Sequence, residues 1–170
     1  ISLVVDWMSV GFIHGVMNTD NTNISGESLD FGPCAFMDHF HFSKVFSSID
    51  VYGRYAYGNQ PSIILWNLDR LAEALSLVIS GSNEKFVEQL NIFKNKMAKK
   101  LGLVTNTENS QLKIEEHQLV DEWFNLMQKN QWDFTQVFLD LERHLESKNL
   151  NQIDLKVQEQ RDFLQKWEKM

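Results

Sequence analysis

The stretch from residue 18 to residue 60 most constrains what this chain can fold into. It holds too much Asn, Asp, Gly and Pro to continue a helix, with short strand pieces expected around Asn23-Ile24 and Leu29. So long an irregular segment inside a compact domain is, as a rule, either functional or disordered. Phe36, Phe40, Phe42, Phe46, Tyr52, Tyr55 and Tyr57 supply the apolar surface to order it, so an ordered, functional segment is expected. Ahead of it, residues 2–13 put Leu3, Val4, Val5, Trp7, Met8, Val10, Phe12 and Ile13 on nearly every side of a helix. That pattern predicts a buried helix presenting His14 and the loop behind it. Behind the irregular segment the period turns helical. Pro61 suits the first turn of a helix running to 79, with Ile64, Leu68, Leu71, Leu75 and Val78 on one stripe. Ser80-Gly81-Ser82-Asn83 ends it, and a second helix over 84–101 stops at Gly102. Residues 103–113 read as a polar loop, followed by amphipathic helices over 114–129, 133–147 and 151–169. There is no internal repeat.

The chemistry concentrates in the loop after His14. His14 and Asn21 stand seven residues apart, and Asp30-Phe31-Gly32 follows nine residues later. Protein kinases keep that same separation between the His of the catalytic loop and a metal-binding Asn, then use an Asp-Phe-Gly for a further metal contact. Val16 occupies the place of the kinase base, so the metal-binding half of such a site is present without its usual Asp. Mg²⁺ takes oxygen ligands and leaves several positions to water and phosphate, so one amide oxygen and one carboxylate are an adequate protein share. Asp20, beside Asn21, could orient or deprotonate an attacking hydroxyl. The plain alternative is that Asn18-Thr19-Asp20-Asn21 is only a turn, since Asn and Asp bond to their own backbone there.

Two blocks carry a wider resemblance. Val10-Gly11-Phe12-Ile13-His14-Gly15-Val16-Met17-Asn18-Thr19-Asp20-Asn21 with Leu29-Asp30-Phe31-Gly32-Pro33, and Gly53-Arg54-Tyr55-Ala56-Tyr57-Gly58-Asn59-Gln60-Pro61 running into Leu65-Trp66-Asn67-Leu68-Asp69-Arg70-Leu71-Ala72, closely resemble the selenoprotein O (YdiU) family. The family often has Tyr where Phe31 stands. The second half resembles it only in helix pattern, for example at Lys99-Lys100-Leu101-Gly102-Leu103 and Trp132-Asp133-Phe134-Thr135. The resemblance implies a kinase-like fold that binds ATP in an inverted orientation and transfers AMP to Ser, Thr or Tyr hydroxyls of proteins. It assigns Asp20 as the base, and Asn21 and Asp30 as Mg²⁺ ligands and nucleotide-binding residues. The family's phosphate-binding Lys and Arg, its Glu partner and its glycine-rich region have no counterpart here. The chain is therefore expected to be the middle of a longer protein and, alone, to be catalytically dead and to bind ATP weakly.

Composition frames the same expectation. At 170 residues and 43% hydrophobic, the chain suits one folded domain, 1–170, with the catalytic and metal-binding loops in 1–60 and helices in 61–170. The fold class expected is mainly α: a kinase-like C-lobe lacking the N-lobe. A net charge of −7 disfavours nucleic acid and anionic membranes as partners. No run has the length of a transmembrane helix. Cys34 is the single cysteine, which excludes an intrachain disulfide and suits a reducing compartment, the cytoplasm in a bacterium or the mitochondrion in a eukaryote. Asp38-His39-Phe40-His41 lacks the further ligands a zinc site needs and reads as a surface loop. Arg54 and Arg70 could meet phosphate or pair with Asp50, Asp69 or Glu73. Two other functions stay open beside AMP transfer: a kinase-like phosphotransferase using Asp20, and a non-catalytic helical interaction module.

Overall fold

The structure, a computed structural model, describes residues 1–75, 86–102, 110–147, 158–167 and 169. It is mainly helical, with a single two-stranded sheet among the described residues. The chain divides into two compact units, Ile1–Met37 with His41–Phe93, and Asp38–Phe40 with Lys94–Met170.

In the first unit, α1 (Ser2–Ser9) buries Val4, Val5, Met8 and Ser9. Ser2 and Asp6 are exposed, so the helix is one-sided, not apolar all round as its sequence suggested. It is also shorter than the apolar run. Gly11 turns the chain with φ +72°, and Phe12–Ile13 becomes strand β1. β1 pairs antiparallel with β2 (Ala35–Phe36), placing Phe12 opposite Phe36 and Ile13 opposite Ala35. The Phe12 and Phe36 rings meet edge to face at 5.2 Å, a cross-strand contact that favours strand over helix here. Thr22 and Ser28 form an isolated antiparallel bridge, adjacent to the strand pieces expected around Asn23-Ile24 and Leu29.

A 3₁₀ turn at Tyr57–Asn59 leads into α2 (Gln60–Leu75), with Pro61 in its first turn where a missing N–H is harmless. The buried face of α2 is not the apolar stripe expected. It consists of Gln60, Ile63, Ile64 and Asn67, while Leu71 and Leu75 are exposed. Two polar side chains lie inward because both find main-chain partners. Residues 76–79 of the expected helix, Val78 among them, lie outside the described residues.

In the second unit, α4 (Ser110–Lys129), α5 (Phe134–Ser147) and α6 (Gln158–Trp167) follow the expected order. α3 (Phe86–Lys100) contributes its last residues to this unit and is followed by a turn at Gly102, which adopts φ +75°. α4 begins inside the stretch expected as loop; residues 103–109 and 148–157 lie outside the described residues. The core gathers on Trp123, whose ring meets those of Phe163 at 4.6 Å and Trp132 at 5.6 Å between centroids, both tilted. Gln131, at φ +52°, closes α4 by letting the Trp132 N–H reach the Met127 carbonyl. Asp133 then caps α5, its Oδ1 accepting the Gln136 N–H at 2.7 Å. Phe40 N–H donates to the Trp132 carbonyl and Phe134 N–H to the Asp38 carbonyl, so the 38–40 segment is threaded by backbone bonds into this unit.

Candidate functional site

The site belongs wholly to the first unit and is built from beneath. Tyr57, fully buried, donates its hydroxyl to the Met8 carbonyl at 2.7 Å, and burial alone pushes that phenol's pKa far up. Gln60 acts as a peptide surrogate: its Oε1 accepts the His14 N–H at 3.0 Å and its Nε2 donates to the Phe12 carbonyl at 3.1 Å. These bonds set the backbone from which the loop departs.

His14 is a core histidine, 1% exposed, with Trp7 at 5.3 Å and Phe31 at 6.2 Å between ring centroids. The Val16 N–H points at Nδ1, 3.4 Å away, which leaves Nε2–H to donate to the Leu29 carbonyl at 2.7 Å. Both contacts are satisfied by the neutral imidazole. Burial lowers its pKa, while the Leu29 carbonyl and the charge of Asp30 pull the other way. His14 thus positions the residue next to Asp30 and has no free nitrogen for acid–base work.

Gly15 joins the two arms of the site. It adopts φ +84°, and a Cβ there would lie 2.9 Å from the Pro33 carbonyl oxygen. Only glycine lets the His14 loop pack against the turn that follows Asp30-Phe31-Gly32. Asp30 itself sits at φ +57°, in the left-handed region that Asp and Asn tolerate better than most residues. Its Oδ1 accepts the Gly32 N–H at 3.3 Å.

The structure brings Asn21 and Asp30 together. Asn21 Nδ2 donates to the Val16 carbonyl at 3.1 Å and to Asp30 Oδ2 at 3.3 Å. The Val16 bond settles which end of the amide is nitrogen, and Oδ1 keeps no hydrogen-bond partner among the described residues. Asn21 ends a 3₁₀ turn, Thr19–Asn21, that also carries the exposed Asp20. Asp20 makes no hydrogen bond or ion pair among the described residues. The loop therefore brings an amide and a carboxylate together, with Asp20 exposed on the same turn as Asn21. That donor set fits Mg²⁺, which needs only one or two protein oxygens. No group of three or more His, Cys, Asp or Glu gathers as a metal cage among the described residues.

Residues outside this cluster have other work. His39 and His41 are exposed, and His41 Nδ1 accepts the Ser43 N–H. Arg70 pairs with Glu73 at 2.6 Å, while Arg54 and Arg70 both lie against the Trp66 ring. Asp50 accepts the backbone N–H groups of Arg54 and Tyr55. Sequence reasoning missed Tyr57, Gln60 and Asn67. The available signal was two amides seven residues apart on α2, bracketing Ile63 and Ile64, which places all four on one helix face. Among the described residues no helix is long and apolar enough to cross a membrane.

Comparison with known proteins gives one consistent answer. Residues 1–170 match the family described as protein adenylyltransferase SelO. Proteins named protein nucleotidyltransferase YdiU are similar to this chain. The one from Clostridium perfringens (strain 13 / Type A) is 49% identical over 82% of the chain and 30% of its own length. Those from Rhodopseudomonas palustris and Bacillus cereus are 49% and 47% identical, over 80% and 82% of the chain and 29% and 30% of their lengths. The chain thus spans under a third of the length of these curated relatives.

Proposed function

The chain belongs to the protein adenylyltransferase SelO family, and on that premise we propose that it carries the metal-binding part of an enzyme moving AMP from ATP to Ser, Thr or Tyr hydroxyls of proteins. Residues 1–170 act as a single partial kinase-like C-lobe, with the catalytic loops in 1–60 and the helical remainder in 61–170. The observation that carries the proposal is that the loop brings the side chains of Asn21 and Asp30 together, Asn21 Nδ2 donating to Asp30 Oδ2 at 3.3 Å; an amide and a carboxylate are side chains of the type from which Mg²⁺ takes its protein oxygens. Bound there, Mg²⁺ supplies charge neutralisation for the phosphates.

Asn21 Oδ1 and the Asp30 carboxylate are the groups that would hold the ion. Asp20, one residue before Asn21 and free of other partners, takes the proton from the attacking hydroxyl. That oxygen forms a bond to the α-phosphorus of ATP, the bond to the α–β bridging oxygen breaks, and pyrophosphate leaves. Transfer of this kind depends on positioning and charge neutralisation, and this chain encodes only the metal side of that clamp. Alone it therefore does not modify itself.

The test is a full-length protein carrying this chain, incubated with ATP labelled at the α or the γ phosphate. Label from the α position is expected on protein. Label from the γ position would make the enzyme a phosphotransferase, and no label from either would leave a helical interaction module; both outcomes overturn the proposal.

A further inference from the structure

We infer that Asn67 is the positioning residue of this site: from the buried face of α2, its amide holds both ends of the loop that carries Asp20 and Asn21. The functional meaning rests on the roles proposed above for those two residues; the structural claim does not.

Asn67 is 4% exposed. Its Nδ2 donates one hydrogen to the Met17 carbonyl at 2.9 Å and the other to Thr22 Oγ1 at 2.7 Å. Thr22 Oγ1 in turn donates to the Asn18 carbonyl at 3.0 Å. Because the Thr22 hydrogen is committed to Asn18, the hydroxyl offers Asn67 only lone pairs. The amide orientation follows from that: nitrogen faces the loop, oxygen faces away.

One planar group therefore grips the chain before and after the Thr19–Asn21 turn. It does so through main-chain and relay contacts that leave the side chains of Asp20 and Asn21 clear. The arrangement has a cost that marks it. Asn67 Oδ1 is buried without a partner, as is Asn18 Oδ1. An unsatisfied buried acceptor is unfavourable, and an apolar side chain at position 67 would avoid it. What the amide supplies in return is loop geometry. Gln60, two turns earlier on the same face, does the same for the backbone at Phe12 and His14.

Asn67→Asp tests this, because it keeps the size and replaces the donor by an oxygen facing the Met17 carbonyl. Hydrogen exchange is the readout. The Asn21 and Thr22 amides, which donate to the Asn18 and Thr19 carbonyls, should exchange faster by on the order of tenfold, the loss of about one net hydrogen bond. Amides within α1 and α2 should keep their rates. Thr22→Val removes the relay while leaving Asn67 intact, and should accelerate the same two amides by less. It also serves where Asn67→Asp does not fold. Unchanged rates at Asn21 and Thr22, or equal acceleration throughout α1 and α2, overturn the inference. Failure of the Asp20 and Asn21 roles shows elsewhere: a full-length protein that keeps full transfer as Asp20→Ala, or its Mg²⁺ dependence as Asn21→Ala, would refute those roles without altering the exchange result.

Discussion

Replacing Gly15 by alanine probes the joint between the two arms of the site. Gly15 sits at φ +84°, and the new Cβ would lie 2.9 Å from the Pro33 carbonyl oxygen and 3.1 and 3.3 Å from two Pro33 ring carbons. Two costs arise. Holding an L-residue in the left-handed region costs about 1–2 kcal/mol. Forcing a methyl against backbone and a stiff ring costs roughly a further 1–3 kcal/mol, because neither neighbour can swing aside. Gly26 separates the two, since it has φ +80° with nothing within 4 Å of an added Cβ. Gly26→Ala should therefore lose only the first amount, and Gly15→Ala about 2–5 kcal/mol in all. Urea titrations of the two variants read the difference directly. In thermal melts Gly15→Ala should fall roughly 2–12 °C below Gly26→Ala, taking about 2–4 °C per kcal/mol for a chain of this size. Equal losses would refute the Pro33 contact as the joint, and the strain would then be conformational alone.

The buried His14 makes a pH prediction. Its native pKa is lowered by burial, so below the ordinary imidazole value of about 6.5 the unfolded chain binds a proton that the native state resists. Stability should fall as pH drops from about 7 to 5 and stay level above that; His14→Gln should flatten the slope in urea unfolding, and an unaltered slope would contradict it. At the site, in a full-length protein, Asp20→Ala should keep ATP affinity while slowing transfer by ~10²–10⁴-fold, and Asp30→Ala should abolish Mg²⁺-supported activity. Full transfer with collapsed ATP affinity in Asp20→Ala would make Asp20 a ligand rather than a base.

Sequence patterns located elements wherever burial is apolar and ends are marked by backbone chemistry. Pro61 sits in the first turn of α2 and Gly102 follows α3, each at its expected place, and α5 begins one residue after the expected 133 because Asp133 is its cap. The patterns failed where apolar content and burial part company. Phe12 and Ile13 look like a continuation of the apolar pattern of α1, yet Gly11, with its positive φ, divides helix from strand. On α2, Leu71 and Leu75 look like core and are exposed, whereas Gln60 and Asn67 look like surface and are buried. The spacing of His14, Asn21 and Asp30 did indicate a common locality, and Asn21 and Asp30 do meet. What holds them there was not readable. Gly15 against Pro33 and Asn67 against Met17 and Thr22 are contacts between distant positions, and periodicity carries no information about them.

A loop whose side chains face solvent cannot be held by burying them. Thr19, Asp20, Asp30, Phe31 and Gly32 are all exposed, so hydrophobic burial supplies little to fix them. The unit answers with buried side-chain donors that grip carbonyl groups instead: Tyr57 on Met8, Gln60 on Phe12, Asn67 on Met17 and His14 on Leu29. Each leaves the gripped residue's side chain uninvolved. Hydrogen bonds in such surroundings are stronger than in water and directional, which suits a task of geometry rather than bulk stability. Chemistry and support are thereby carried by different residues. The exposed acids make few contacts of their own, while buried polar side chains elsewhere in the unit fix the backbone that carries them.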